Sequence, residues 1–247
     1  MGPLQEIVGV SVVAAGVGGA VRYAAYGVRS QWFGPAVWQG RADTAAVALT
    51  FDDGPGPDTE AALDALAARQ VSATFFMVGR QVERHPEIAR RIVADGHTIG
   101  NHSYSHPLYL SRTPRQTLDE LTRAQQAIAE ITGVRPEWSR PPYGVRTPGY
   151  FRAARTLGLR TIQWTVAGFD WKQRPAARIA RDVLRGARAG AIVLLHDADS
   201  AGRRNRRATV ASIPAIVDGV RERGLDVAPL GALLAAPAAG VPERVHV

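Results

Sequence analysis

The run Ala46-Val47-Ala48-Leu49-Thr50-Phe51-Asp52-Asp53-Gly54-Pro55 decides how the rest of the chain is read. Its first six residues are small, apolar or β-branched and uninterrupted, as a buried strand requires. Two carboxylates and a Gly-Pro turn signal follow directly. In parallel α/β folds the strand C-termini converge on one face, and chemistry occurs there. Adjacent residues of an extended segment point to opposite sides. Asp52 and Asp53 are therefore expected to divide the work, one ligating a metal and the other facing a reacting water. An ordinary Asp-rich turn explains the pair equally well when it is taken alone.

Downstream of this run, strands and helices alternate. Helices are expected at Thr59–Arg69, Pro86–Ala94, Phe151–Leu157, Pro175–Ala187 and Ile213–Arg223. A longer one begins after Thr113 as cap and Pro114 as first residue, runs to about Ile131 and stops before Gly133. Strands are expected at Ala73–Val78, His97–Gly100, Trp138–Arg140, Leu159–Trp164, Ala191–His196 and Leu225–Val227. Repeated strand–helix units of this length predict a parallel sheet with helices outside, open or closed into a barrel.

Four more polar clusters fall at expected strand ends or just beyond them: Asn101 to His106, Arg140 to Gly144, Asp170-Trp171 and His196-Asp197. His102 and His106 are four residues apart. On a helical turn that spacing puts both imidazoles on one face, able to hold one cation. Two histidines and a carboxylate leave positions open for water and substrate. Zinc is the first choice for such donors, with Co2+, Ni2+ or Mn2+ as substitutes. His196 closes the apolar run Ile192-Val193-Leu194-Leu195, where its surroundings can tune it as a general acid. The plainer alternative is a structural histidine bonded to a loop carbonyl. His85, His97 and His246 receive no role.

Taken together, the five clusters resemble the five motifs of the polysaccharide deacetylase family, the NodB-homology domain of carbohydrate esterase family 4. Thr50-Phe51-Asp52-Asp53-Gly54-Pro55 resembles the first motif, and His102 and His106 match the histidines and spacing of the second. Arg140-Pro141-Pro142-Tyr143-Gly144 matches the third, Asp170-Trp171 resembles the fourth and Leu194-Leu195-His196 the fifth. The resemblance runs in order from about Ala45 to Leu230. It implies a distorted (β/α)7-type barrel and a metal-dependent hydrolase that removes N-acetyl groups from N-acetylglucosamine-type polysaccharide. It assigns Asp53, His102 and His106 to the metal, Asp52 to the base that activates the attacking water, and His196 to the acid that protonates the departing amine. Arg140 would steady Asp52, and Asp170 would orient His196. The Tyr143 amide would bind the oxyanion, while Trp171 and Leu194 would line the pocket for the acetyl methyl. Ala167 stands where many members carry a further Asp, and Ala198 where Gly is frequent. Deformylation of a lipid-linked amino sugar, O-acetyl xylan esterase activity and a non-catalytic glycan-binding module are the competing readings.

Composition limits the alternatives. A chain of 247 residues with 46% hydrophobic content can bury one substantial core. It contains no cysteine, which excludes disulfides, thiolate nucleophiles and Cys-based metal sites. The net charge of +8 comes almost wholly from arginine, since Lys172 is the sole lysine. No helix-turn-helix, zinc-finger or aromatic-basic strand pattern accompanies it, so no nucleic-acid partner is expected. The basic loop Arg203-Arg204-Asn205-Arg206-Arg207 suits an anionic glycan or lipid headgroups; an ordinary solvated loop is the plainer reading.

Four segments follow. Residues 1–29 hold the apolar stretch Ile7–Val28, broken by Arg22, which reads as a membrane anchor or uncleaved signal. The competing reading is a packed Gly/Ala-rich helix. Residues 30–44 read as a linker, 45–232 as the catalytic domain and 233–247 as a frayed tail. A cell-envelope location, anchored or exported, is expected. Arg22 and Arg29 at the far end of the stretch would instead leave the domain on the cytoplasmic side.

Overall fold

A computed structural model describes residues 18–235. Residues 18–26 form a helix, α1. The chain then runs through β1 (Ala36–Val37), β2 (Ala46–Asp52), α2 (Thr59–Ala67), β3 (Thr74–Met77), α3 (Gly79–Arg84), α4 (Pro86–Ala94), β4 (Thr98–Asn101) and α5 (Pro114–Thr132). There follow β5 (Trp138–Ser139), α6 (Pro148–Thr156), β6 (Arg160–Ile162), β7 (Val166–Ala167), α7 (Ala176–Gly186), β8 (Ile192–His196), α8 (Arg207–Arg221), β9 (Asp226–Val227) and α9 (Leu230–Leu234). The strands line up as β1-β6-β5-β4-β3-β2-β8-β7, and β9 adds to the start of β2. Every pairing among the described residues is parallel. This is the distorted (β/α)7-type barrel that the family resemblance implied.

The side-chain period of two sorts β2 into its faces. Val47, Leu49 and Phe51 join the large cluster beneath the outer helices, with Leu63, Leu66, Ile213 and Val217. Ala46 and Ala48 belong to a second cluster with Phe76, Trp138, Ile192, Leu230 and Leu233. Small residues on that face leave room for Trp138 and the leucines of α9. Thr50 and Asp52 share the parity of Ala46 and Ala48, which carries the strand from an apolar floor to a polar rim.

Several boundaries differ from the expectations. Residues 30–44 are not a bare linker: β1 lies within them and pairs with β6. β1 is two residues long, too short for a periodic signal. β7, α3 and α9 also went unforeseen for want of length. α9 crosses the boundary placed at 233 and buries Leu233 completely, while residues 236–247 lie outside the described residues. α8 starts at Arg207 rather than at Ile213 and carries Pro214 inside it.

Of the apolar stretch Ile7–Val28, residues 7–17 lie outside the described residues. No helix among the described residues is long and apolar enough to cross a membrane. Ala24 and Ala25 of α1 are buried. The fully buried Arg146 donates to the carbonyls of Gly27 at 2.5 Å and Val28 at 3.2 Å, and its own amide bonds the carbonyl of Ala25. A buried guanidinium needs such acceptors, so the segment after α1 is held to the barrel.

Candidate active site

The five polar clusters do converge. Asp52, Asp53, His102, His106, Tyr143, Trp171, Leu194 and His196 all line one cleft of about 440 Å³ at the C-terminal ends of the strands. Arg140 and Asp170 stand behind its wall, both buried.

The strand ends at Asp52, and Asp53 turns out of it with a φ of 79°. The expectation that the two acids point apart assumed a continuing extended chain. The left-handed residue instead brings both carboxylates to the same imidazole: His102 Nε2 lies 3.8 Å from Asp52 and 3.5 Å from Asp53. Gly54 is required next, because a Cβ there would lie 2.0 Å from an Asp197 oxygen.

His102 and His106 do share a site, but no helical turn places them. They sit in an irregular loop after β4, with Ser103 at φ 66° and His106 at φ 59°. α5 holds this loop. Asn101 donates to the carbonyl of Leu121 and to Gln125, both at 2.9 Å, and accepts from the Ser103 amide. The Glu120 carboxylate accepts from the amides of Tyr104 and Ser105 and from the Ser105 hydroxyl, at 2.7–3.1 Å. Asn101, Glu120 and Gln125 escaped the sequence reading. Asn101 sat inside a motif read for its histidines, and the other two look like any polar residues on a helix.

These three side chains fit a cation. The ligand atoms offered by Asp53, His102 and His106 lie within 4.8 Å of one another. His102 Nδ1 contacts the Arg140 carbonyl at 2.7 Å. A carbonyl only accepts, so Nδ1 carries the proton and Nε2 presents its lone pair inward. Asp53 Oδ1 is buried without a hydrogen bond, although His106 Nε2 is 3.0 Å away. An orphaned carboxylate oxygen beside an imidazole lone pair is the environment a divalent ion satisfies. Burial pushes the Asp53 carboxyl up, but His102 and His106, whenever their Nε2 atoms carry protons, hold it well below the usual carboxylate range.

Arg140 is buried completely. It donates to Asp52 Oδ1 and Thr50 Oγ1 at 2.8 Å and to the Gln163 carbonyl at 3.0 Å. Its guanidinium stacks 4.2 Å over the Phe76 ring, a contact that favours a desolvated cation. One Asp52 oxygen is thereby fixed.

On the other side, Asp170 grips His196 twice, accepting from the backbone amide at 2.8 Å and contacting Nδ1 at 2.9 Å. The Thr209 hydroxyl of α8 adds a third bond at 2.9 Å. Burial depresses the His196 imidazolium, but Asp170, with help from Asp53 and Asp52, overcomes it and raises the pKa to about 9. Trp171 packs edge-on against the imidazole at 5.5 Å. Tyr143 is 62% exposed, adopts φ 59° and sets its ring against His106 at 4.7 Å.

Behind His196, Asp197 is buried and accepts from Thr59 at 2.5 Å. Burial pushes its carboxyl up to about 7. His97 receives the Ala73 amide on Nδ1 at 3.1 Å and is structural.

Comparisons with known proteins point to one family. The family model described as polysaccharide deacetylase matches residues 39–162. A chitooligosaccharide deacetylase of Bradyrhizobium sp. is 37% identical over 196 residues, which cover 76% of this chain and 90% of that one. A peptidoglycan-N-acetylglucosamine deacetylase of Listeria monocytogenes is 36% identical over 181 residues, 73% of this chain; the match spans only 37% of the Listeria protein. Among solved structures, the Bc1960 peptidoglycan N-acetylglucosamine deacetylase superimposes with a TM-score of 0.77 at 30% identity, covering 81% of this chain and 92% of that one. The chain belongs to the polysaccharide deacetylase family.

Proposed function

We infer that this protein hydrolyses N-acetyl groups from an N-acetylglucosamine-type envelope polysaccharide, with a divalent ion, zinc by preference, held by Asp53, His102 and His106. The observation that carries the reading is the single cleft in which an orphaned Asp53 oxygen meets two imidazoles, with Asp52 beside them and His196 lining the same space. The ion, when bound, supplies Lewis acidity that lowers the pKa of water from about 15.7 toward about 7 and polarises the acetyl carbonyl.

The chain's own groups do the rest. Asp52 takes a proton from the attacking water through the oxygen that Arg140 leaves free. His196 is protonated below about pH 9 and gives a proton to the departing sugar nitrogen. Asp170 keeps Nδ1 occupied, so Nε2 is the donating atom. The Tyr143 amide donates to the developing oxyanion, a contribution of about 3 kcal/mol for one such donor. Trp171 and Leu194 enclose the acetyl methyl. The activities that name the Bradyrhizobium, Listeria and Bc1960 proteins support the substrate class, and an envelope location, with or without a membrane anchor, follows from that substrate.

The test is acetate release from N-acetylglucosamine oligomers. Metal-loaded protein is expected to release acetate, to lose the activity on chelation and to regain it with Zn2+, Co2+, Ni2+ or Mn2+. Asp52→Ala and His196→Ala are each expected to lower kcat by about 10²–10⁴-fold. Formate from a formylated amino sugar, acetate only from acetylated xylan, or glycan binding without turnover would each overturn the reading in favour of a different one.

A further inference from the structure

Beyond the catalytic groups, the same cleft is walled by Asp199, Ser200, Ala201, Arg203, Arg204 and Arg206. These belong to the loop between β8 and α8, which is braced at both ends. Ser200 receives Arg80 on its carbonyl at 2.5 Å and sends its amide toward Asp53 at 3.5 Å. The Arg206 amide donates to Asp58 at 2.5 Å. The arginines are therefore presented by a held loop.

Arg206 is the informative member. It is 4% exposed, and its Nε donates to the Ala198 carbonyl at 2.7 Å. Its Nη2 lies 3.7 Å from Asp199, and its Nη1 is buried with no partner at all. A buried guanidinium nitrogen without an acceptor is costly. Arg203 and Arg204 are exposed. Arg204 is aimed by a 3.1 Å bond to the Trp171 carbonyl, and the Arg203 amide by one of 2.7 Å to Asp199. Asp199 is the one acid on this rim, set against three guanidinium groups.

We propose that Arg203, Arg204 and Arg206 form a carboxylate-binding subsite, so that the preferred substrate is an anionic glycan carrying an acid group on a sugar near the one deacetylated. The proposal rests on the deacetylase reading and refines it. Guanidinium groups match carboxylates in a planar fork, which a neutral chitin-type chain cannot use.

Three tetramers decide the matter: neutral N-acetylglucosamine, the same backbone with a carboxylic acid ether on alternate sugars, and one with a phosphate ester there. The metal-loaded protein is expected to show a kcat/KM about tenfold higher on the carboxylated tetramer, the scale of one charge-assisted contact. That ratio should shrink with added salt. Arg203→Gln with Arg204→Gln, both at exposed positions, should drive the ratio toward one, and Arg203→Lys with Arg204→Lys should keep it only in part. Equal kcat/KM on all three, a ratio indifferent to the variants, or preference for the phosphate ester overturns the proposal. Equilibrium binding of the three tetramers to Asp52→Asn reads the subsite without turnover. Tighter binding of the carboxylated tetramer there, with no acetate released by wild type, would keep the subsite and remove the deacetylase reading.

Discussion

The proton affinity of His196 depends on one neighbour more than any other. Asp170 touches both its amide and its Nδ1 and supplies the largest upward influence against burial. Asp170→Asn keeps the size and removes the charge. The imidazolium then loses its main support, and its pKa falls from about 9 toward the ordinary histidine range. The protonated acid persists below its pKa and is lost above it, so the alkaline limb of the kcat profile should move to lower pH, with kcat down by about 10²-fold or more. A pH–rate series on wild type and variant checks this; an unmoved limb would show that Asp170 acts on shape alone. The positions of these residues were legible in the sequence, because each reactive side chain closes a strand or follows one within a few residues. Their angles were not. The left-handed turns at Asp53, Ser103 and His106 decide which atoms face the cleft, and nothing in an Asp, Ser or His fixes that backbone choice in advance.

At the scale of elements, α5 is a bracket for the loop between β4 and the short 3-10 turn Tyr109–Ser111. Its start was readable: Thr113 and Gln116 form a reciprocal capping box, Pro114 follows the cap, and Gly133 closes the helix in the left-handed conformation. What could not be read is the use of its buried side. Glu120 holds two loop amides and a hydroxyl, yet its sequence neighbourhood is that of any helical glutamate. Glu120→Ala is expected to weaken metal affinity by about 10–100-fold, as loss of outer-shell support typically does. Thr113→Ala, at the exposed cap, is expected to cost about 1 kcal/mol of stability and leave affinity alone. Metal titration against a competing chelator, alongside thermal melts, separates the two effects. Element identity followed from composition and end signals where runs were long, as in the apolar run of β2 and the Pro86 start of α4. It failed for β1, β7 and α9, whose two to five residues carry no period of their own and form only because neighbours supply ladder or core contacts.

For the molecule as a whole, a parallel sheet flanked by helices was legible from the order of its units and the barrel from the family resemblance, whereas its true extent was not. The strands of the recognisable motifs begin at Ala46, and the family match begins at residue 39. Yet β1 extends the sheet at β6, and the Arg146 guanidinium reaches the carbonyls of Gly27 and Val28. A dissection that keeps only residues 45–235 would amputate both. The stranded guanidinium would forfeit its acceptors at a cost of about 1–3 kcal/mol or more, and β6 would lose its partner along one edge. Such a fragment should melt well below one that starts at Gly18, and calorimetry on the two would show it. The smallest autonomous body is thus larger than its signature: one buried arginine stitches a stretch of chain that looks dispensable into the unit that must fold together.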